Sequence, residues 1–334
     1  MFLVWDNRLI VSSRDQSGIS EPGETTLLSV CWSIARDEAQ LHFTVAPDAV
    51  RQACEHGGFM SERVALLVDN GSRRAAATLS LRSIAERLAE ACGQPVHPVS
   101  LQHADRIPPA DLGGQPAQVL PGFLRKQLAA GRREFVVVPL FFGKSRALTS
   151  FIPEQVALLE REFGPFEMRQ AEVLSPMPQG ESRLAEILAD QVARCSRQME
   201  APPDCVVVVD HGSPLPDVTA VRAKVTMALR ERLAEGILLS QAVMERRQGP
   251  EYDFNGQLLG DLLDACAAKK PGAVIVLAMM FISPGRHAGP GGDIDQICRD
   301  AMDRNPGLRV GVSDLVGEHP LLIEILNQRL QAAW

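Results

Sequence analysis

The 334-residue chain lacks several patterns that mark common protein classes. Its seven cysteines include no C-x-x-C pair, and such an odd, unpatterned set is typical of free thiols in a reducing compartment. The longest apolar run, Ala273–Ile282, is too short to span a bilayer. The first residues do not combine a basic start with an apolar stretch of signal-peptide length. We therefore expect a soluble, cytoplasmic protein with no membrane partner.

Basic residues are also fewer than acidic ones. Lysines and arginines number 34 together, against 41 aspartates and glutamates, so the formal net charge is −7, and there is no long basic run. This balance argues against a nucleic acid as the main partner. It leaves room for an anionic small ligand, because binding depends on local charge.

Signatures of three widespread kinds of site are missing as well. The chain has no G-x-G-x-x-G motif and no P-loop. The phrase DHGSP at 210–214 lacks the glycines of a G-x-S-x-G nucleophile elbow. The GPGG stretch at 289–292 could cradle a phosphate before a helix, but it has no accompanying lysine. None of these chemistries is therefore indicated.

From residue 63 onward, buried strands alternate with amphipathic helices. Continuous apolar strands separated by helices predict a parallel sheet covered on both faces. The order of elements in the first half is repeated in the second, and VDNGS at 68–72 occupies the place of VDHGS at 209–213. The pattern predicts an α/β fold with two tandem Rossmann-like parallel-sheet β/α domains related by internal duplication.

The predicted domain limits are 61–200 and 201–334, after an N-terminal extension at 1–60. In the extension we expect a hairpin turning at Asp6–Asn7, followed by two strands and a short helix that begins near Pro47. No chemistry is indicated there, and its role is left open.

Two histidines follow strands of the second half. Ligands of parallel sheets bind beyond the carboxyl ends of the strands, and both His211 and His287 are expected at such ends. His211 can bind a metal, move a proton or cap a loop. His287 lies in a loop rich in glycine and proline, SPGRHAGPGG, which suits close approach to a ligand better than a place in the core.

Glu245 follows a third strand of the same half, in AVMERR. Two imidazoles and a carboxylate that converge on one rim would suit a divalent transition metal. The alternative is that Glu245 is a solvated charge beside Arg246 and Arg247.

These residues resemble the class II tetrapyrrole chelatases, the sirohydrochlorin cobaltochelatase/ferrochelatase family. The likeness rests on a strand followed by HGS at 206–213 and on a strand followed by F-x-S-P-G-R-H…D-I at 281–294. It covers roughly residues 63–334. Short members of the family dimerise to form a cleft between two α/β halves, and long members carry both halves in tandem, as this chain does.

The resemblance implies ATP-independent insertion of Co²⁺ or Fe²⁺ into sirohydrochlorin, toward cobalamin or siroheme. It implies His211 and His287 as catalytic and metal-binding residues, with Glu245 as the matching strand-end glutamate. The expected partners are therefore a sirohydrochlorin-type tetrapyrrole and a divalent metal, and no cofactor is expected beyond that substrate metal. The chain could be a monomer or a homodimer.

The first half departs from the family pattern. Asn70 stands where the histidine of HGS is expected, and the loop at 141–153 contains no histidine. In the second half, AGPGG makes the stretch between His287 and Asp293 longer than is usual in the family. We therefore expect the second half to carry the active site and the first half to be degenerate.

A polycarboxylate substrate needs local cations. Beside the expected site lie two such cations, Arg286 and Arg246, together with Ser213, which is also expected to bind the substrate. The first-half loops that lack histidine carry four more cations: Lys144, Arg146, Arg73 and Arg74. We expect the first half to clamp the substrate carboxylates, although each of these charges, taken singly, is better read as an ordinary surface charge.

Two alternatives stay open. A duplicated fold with one degenerate site could be a non-catalytic metal or tetrapyrrole carrier or a regulatory protein. The chain could also insert a different metal, such as nickel, or act on a different porphyrinoid, because metal preference depends on geometry and supply more than on ligand identity.

Overall fold

The computed structural model describes residues 63–334 and two short strands near the N-terminus. These strands, β1 (Val4–Trp5) and β2 (Arg8–Leu9), pair antiparallel, as the two strands of the expected hairpin should. The expected turn at Asp6–Asn7 lies outside the described residues. The two further strands and the helix expected in the extension lie outside the described residues.

The chain divides into two compact units, Met1–Gly58 and Phe59–Trp334. The second unit contains two α/β halves, and every strand and helix expected in it is present. The elements of its first half are β3 (Val64–Asp69), α1 (Ala75–Cys92), β4 (Val96–Ser100), α2 (Leu120–Ala129), β5 (Glu134–Pro139), α3 (Ile152–Phe163), β6 (Glu167–Gln170) and α4 (Ser182–Gln198).

The second half repeats this order. Its elements are β7 (Cys205–Asp210), α5 (Pro216–Arg230), β8 (Leu238–Val243), α6 (Leu259–Lys269), β9 (Val274–Met279), α7 (Asp293–Arg304), β10 (Arg309–Val312) and α8 (Pro320–Ala333). Short 3₁₀ segments at Pro109–Leu112 and Pro250–Asn255 precede α2 and α6.

Each half forms a parallel four-stranded sheet with the same strand order. The order is β4-β3-β5-β6 in the first sheet and β8-β7-β9-β10 in the second. The central strands, β3 and β7, are almost entirely buried, as expected for strands covered on both faces. The two sheets therefore show the internal duplication that the repeated VDxGS phrase predicts.

Alternate residues of each central strand face different cores. In β3, Leu66 packs with the outer helices α2 and α3, whereas Leu67 faces a core shared by both halves. Val207 and Val208 divide in the same way between the outer helices of the second half and the shared core. Side chains of a strand alternate between faces, so one continuous core joins the two sheets.

The last helix of each half packs on the sheet of the other half. Helix α4 packs against β9 and α5, and α8 packs against β5 and α1. Polar contacts accompany the exchange: Gln191 on α4 donates to the Leu315 carbonyl at 2.8 Å, and Arg329 on α8 donates to the Val173 carbonyl at 3.1 Å. The relative position of the halves is thus held by exchanged helices as well as by a shared core.

None of the helices in the described part of the chain has the length and the apolar composition needed to span a bilayer.

Arg329 should contribute measurably to the free energy of unfolding, because its guanidinium also contacts the largely buried Glu181 at 2.9 Å. Arg329→Ala removes hydrogen bonds to a charged group, so we expect the free energy of unfolding to fall by about 2 kcal/mol. Urea denaturation measures this loss. The control Arg125→Ala removes an exposed ion pair with Glu162 and should cost less than about 1 kcal/mol. Equal losses in the two variants would contradict a specific role for Arg329.

Candidate functional site

Three neighbouring strand ends bring His211, Glu245 and His287 to one rim. His211 follows the central strand β7, Glu245 follows β8, and His287 lies in the loop after β9. The His211 Nε2 atom lies 3.2 Å from Glu245 Oε1. The two imidazole rings meet edge to face, with centroids 4.6 Å apart and planes at 71°. His211 is therefore the shared member of two pairs.

The turn that carries His211 needs a glycine at position 212. Gly212 has φ +92°, and a Cβ there would lie 2.1 Å from the Glu245 carbonyl oxygen. That close approach lets the Glu245 amide donate to the His211 carbonyl at 3.2 Å. The backbone after β7 is thus joined directly to the backbone after β8, which fixes the distance between the imidazole and the carboxylate.

Asn255 is completely buried and stabilises the same turn through its side chain. Its side chain accepts from the Ser213 amide and donates to the Ser213 carbonyl, both at 2.9 Å. The Ser213 hydroxyl accepts from the Leu215 amide at 3.0 Å, just before α5. Ser213, expected to bind substrate, therefore also shapes the turn. No sequence signal pointed to Asn255, because its partner is 42 residues away.

A buried ion pair supports the strand end beneath His211. Arg222 on α5, which is 3% exposed, pairs with Asp210, the last residue of β7. Its guanidinium also donates to the Gln241 side chain at 3.2 Å and to the Asn255 carbonyl at 2.6 Å. Burial raises the pKa of Asp210, and the Arg222 charge and hydrogen bond partly offset that rise.

The glycine-rich loop fixes His287 through its own aspartate. His287 Nδ1 lies 2.7 Å from Asp293 Oδ2, and the Ile294 amide donates to the His287 carbonyl at 3.1 Å. A Cβ at Gly292 would lie within 3.1 Å of three carbonyl oxygens, so the AGPGG stretch folds tightly. A carboxylate on one imidazole nitrogen orients the other toward a ligand, which here leaves Nε2 for that role.

The three expected metal ligands form two contacting pairs, His211 with Glu245 and His211 with His287, and do not form a complete coordination shell. Among residues 63–334 no group of three or more His, Cys, Asp and Glu side chains is placed to hold a metal ion. The side chains of His211, Glu245 and His287 are 46%, 61% and 30% exposed. The arrangement is open to solvent, and the two pairs have only His211 in common.

Two cavities flank His211. One of about 350 Å³ lies within the second half and is lined by His211, Gly212, Ser213, Pro214, Glu245, Arg246 and Arg247. The other, of about 270 Å³, lies between the halves, and its walls include Asn70, Phe141, Phe142, His211, Met280 and Phe281. His211 thus faces both the carboxylate side of the rim and the opposite half.

The first half keeps the backbone of this site and replaces its ionisable groups with amides. Gly71 has φ +86°, and a Cβ there would lie 1.8 Å from the Gln102 carbonyl oxygen. The Gln102 amide donates to the Asn70 carbonyl at 3.3 Å, as the Glu245 amide does to that of His211. Asn70 and Gln102 are therefore the counterparts of His211 and Glu245.

The expected substrate-binding cations lie around the rim, and three of the six have an acidic neighbour. Arg246 pairs with Asp253 at 3.0 Å, and Arg286 lies 3.6 Å from Asp293. Lys144 lies 3.5 Å from Glu172. Arg146 is exposed, as are Arg73 and Arg74 near the start of α1.

Lys144 and Arg146 lie in the loop after β5, which contributes to the wall of the 270 Å³ cavity between the halves. Gly143 and Ser145 line that cavity, so the two cations alternate with cavity-lining residues and are exposed beside it.

The model of the CbiX family matches this chain twice, over residues 64–195 and 205–333. No curated protein sequence matches it significantly.

Several solved structures share the fold. "SirB from Bacillus subtilis with Fe3+" is 17% identical, with a TM-score of 0.57, 81% of this chain covered and 95% of that one. A cobalt complex of the sirohydrochlorin chelatase SirB, from Bacillus subtilis subspecies spizizenii, is 15% identical, with a TM-score of 0.54 and coverages of 81% and 94%. DR2241 from Deinococcus radiodurans, described as a multi-domain protein similar to chelatases, is 18% identical, with a TM-score of 0.53 and coverages of 81% and 55%.

The ion pair beneath His211 can be tested with Arg222→Leu. Removing the guanidinium leaves Asp210 buried without its cation, and we expect the free energy of unfolding to fall by about 3–5 kcal/mol. The control is Arg232→Leu, at an exposed arginine just beyond α5 that donates to the Ala228 carbonyl; it should stay within about 0.5 kcal/mol of the wild type. Thermal and urea unfolding measure both, and an unchanged Arg222→Leu variant would contradict the assigned role.

Asp69, the first-half counterpart of Asp210, makes stability depend on pH. Burial raises its pKa to about 6, and hydrogen bonds from Ser100 and Gly71 oppose the rise. Since an unfolded aspartate titrates near pH 4, the folded state binds more protons between about pH 4 and pH 6. Stability from this group therefore falls as the pH rises through that window.

The isosteric change Asp69→Asn should remove this fall. We expect the variant to approach the wild-type urea midpoint near pH 4 and to exceed it increasingly up to about pH 7. A difference that does not change with pH would contradict the raised pKa.

Proposed function

Because this chain belongs to the CbiX family of class II chelatases, we propose that it inserts a divalent metal, Co²⁺ or Fe²⁺, into a sirohydrochlorin-type tetrapyrrole without ATP. The reaction would take place in the second half and would need no cofactor beyond the substrate metal. The observation that carries the proposal is the position of His211, which lies next to both Glu245 and His287 and faces the cleft between the halves.

Metal insertion needs a site that binds the ion and releases it again. In the proposal, His211 and His287 hold the incoming metal through imidazole nitrogens, and Asp293 keeps the His287 ring oriented. A set of two imidazoles and one carboxylate leaves coordination positions open for the ring nitrogens of the macrocycle. The exposure of His211 and Glu245 allows the metal to enter and water to leave.

The chemistry also releases two protons, because the metal replaces the hydrogens of two pyrrole nitrogens. The carboxylate of Glu245, 3.2 Å from His211 Nε2, is placed to accept a proton or to pass one from His211 to solvent. An imidazole and a carboxylate in contact are a suitable general base near neutral pH.

The macrocycle is proposed to lie in the cleft, where aromatic and apolar residues of both halves form the cavity wall. A flat, conjugated ring packs well on such a surface. The peripheral carboxylates would reach the rim, where Arg246 and Arg286 lie in the second half and Lys144 and Arg146 in the first. Arginine binds carboxylates in a forked geometry.

Anaerobic absorbance spectroscopy of sirohydrochlorin with Co²⁺ tests the proposal. We expect the wild type to speed metal insertion above the spontaneous rate, and His211→Ala and His287→Ala each to lower it by about a hundredfold or more. His103→Ala is the matched control, because His103 is an exposed histidine at the corresponding rim of the first half. A wild type that binds the macrocycle without speeding insertion would favour a carrier instead.

The substrate clamp has a separate test. Lys144→Ala/Arg146→Ala should raise KM several-fold and leave kcat nearly unchanged, because the two cations are proposed to bind carboxylates far from the reacting nitrogens. Arg125→Ala/Lys126→Ala removes the same charge from exposed positions on α2 and should leave both constants unchanged. A KM equal to that of the wild type in the clamp variant would refute the clamp.

A further inference from the structure

The contacts between the two halves are reciprocal. Helix α4 packs against α5 and β9, and the corresponding helix α8 packs against α1 and β5. The Ser283 hydroxyl, in the loop after β9, lies 3.0 Å from that of Ser80 on α1. In the loop after β5, a Cβ on Gly143 would lie 3.0 Å from Val221 on α5. Contacts that repeat with the two units exchanged are those of a two-fold axis, so an approximate two-fold axis relates the halves.

Backbone hydrogen bonds show which residues correspond at the strand ends. In the first half, the Leu140 amide donates to the Val68 carbonyl at 2.8 Å. In the second half, the Met280 amide donates to the Val209 carbonyl at 2.9 Å. Leu140 therefore corresponds to Met280, and the residues that follow each of these positions pair off in the same way.

The cavity of about 270 Å³ between the halves is lined largely by such corresponding residues. Its walls contain both members of these pairs: Leu140 and Met280, Phe141 and Phe281, Phe142 and Ile282, and Asn70 and His211. A cavity with both members of several pairs in its wall lies on the axis that relates the halves. Each of these pairs is apolar on both sides, except for Asn70 and His211.

The Asn70 side chain is available to a ligand in this cavity. It is exposed, and its amide has no hydrogen-bond partner within residues 63–334. The first half contributes one other polar side chain to the wall, that of Ser145, and its hydroxyl oxygen is closed to solvent. Asn70 is thus the group of the first half that is placed to hydrogen-bond a bound molecule.

A flat ring that lies along the axis turns one face to each half. His211 then faces one side of the ring and Asn70 the other. A tetrapyrrole is larger than this cavity, so its periphery would extend past the mouth to the charged rim.

The chemistry of an amide suits the centre of a metal-free macrocycle. Some of the central nitrogens carry hydrogens and the others carry lone pairs. A side-chain amide offers a donor and an acceptor, so it can hydrogen-bond to both kinds of nitrogen. Imidazole is a good ligand for transition metals, whereas an amide oxygen suits harder ions. Asn70 would therefore not compete with His211 for Co²⁺ or Fe²⁺.

Taking the proposed function as the premise, we propose that Asn70 is a substrate-binding residue that positions the macrocycle. Its side-chain amide hydrogen-bonds to the central nitrogens from the face opposite the metal. Insertion replaces the ring hydrogens with the metal and engages the nitrogen lone pairs, so these hydrogen bonds are lost in the product. Asn70 therefore favours the metal-free substrate over the metallated product and assists product release.

Anaerobic calorimetric titration of the full chain tests the proposal, with metal-free sirohydrochlorin and cobalt-sirohydrochlorin as separate ligands. We expect Asn70→Leu to weaken binding of the metal-free macrocycle about three- to tenfold, the effect of losing one or two hydrogen bonds. The affinity for cobalt-sirohydrochlorin should stay within about twofold of the wild type. An equal loss for both ligands would show a general structural effect and overturn the proposal.

The matched control is Gln118→Leu, which removes an exposed side-chain amide of the same half that does not line this cavity. It should change neither affinity, and urea denaturation checks that both variants fold as the wild type does. Because the titrations measure binding alone, their result for Asn70 does not depend on whether the wild type speeds insertion.

The titrations also separate this proposal from the proposed function. If the wild type does not bind metal-free sirohydrochlorin, the proposed function fails and the role of Asn70 fails with it. If the wild type binds and Asn70→Leu binds equally tightly, only the role of Asn70 is refuted.

Discussion

The site depends on the close backbone contact between the ends of neighbouring parallel strands. Because Gly212 has no Cβ, the segment after β7 can lie against the Glu245 carbonyl, and the His211 imidazole then meets the Glu245 carboxylate. The strand order β8-β7-β9 puts the His287 loop on the other side of the same histidine. Sheet geometry, rather than sequence proximity, assembles the three groups.

The duplication explains why two similar halves have different chemistry. Gly71 makes the same close contact as Gly212, so the rim of the first half keeps its shape. Its side chains are Asn70 and Gln102, which bind by hydrogen bonds and carry no charge. Beneath the rim the charges differ in the opposite sense. In the second half the charge of Asp210 is neutralised by Arg222, whereas in the first half one oxygen of Asp69 has no hydrogen-bond partner among the described residues. The second-half rim therefore carries ionisable groups at the positions where the first-half rim carries neutral amides.

Much of the second unit could be predicted from the sequence. Apolar runs such as 205–210 and helical periodicity identified every strand and every α-helix from residue 63 onward, but not the short 3₁₀ segments, and the repeated VDxGS phrase indicated the duplication. The histidines were found because parallel strands end at a common edge. The exchange of α4 and α8 between halves could not be predicted, because both helices are amphipathic whichever sheet they cover. Asn255 and Arg222 were missed for a related reason, since their partners are distant in sequence and a lone polar residue carries no local pattern.

The central claim is that the second-half rim is where the metal is held. A crystal structure of the wild-type protein soaked anaerobically with Co²⁺, with the ion located by its anomalous scattering, tests this claim most directly. We expect cobalt between His211 and His287, bound through imidazole nitrogens, with Glu245 as the neighbouring carboxylate. Cobalt bound only in the first half, or only at sites without either histidine, would contradict it.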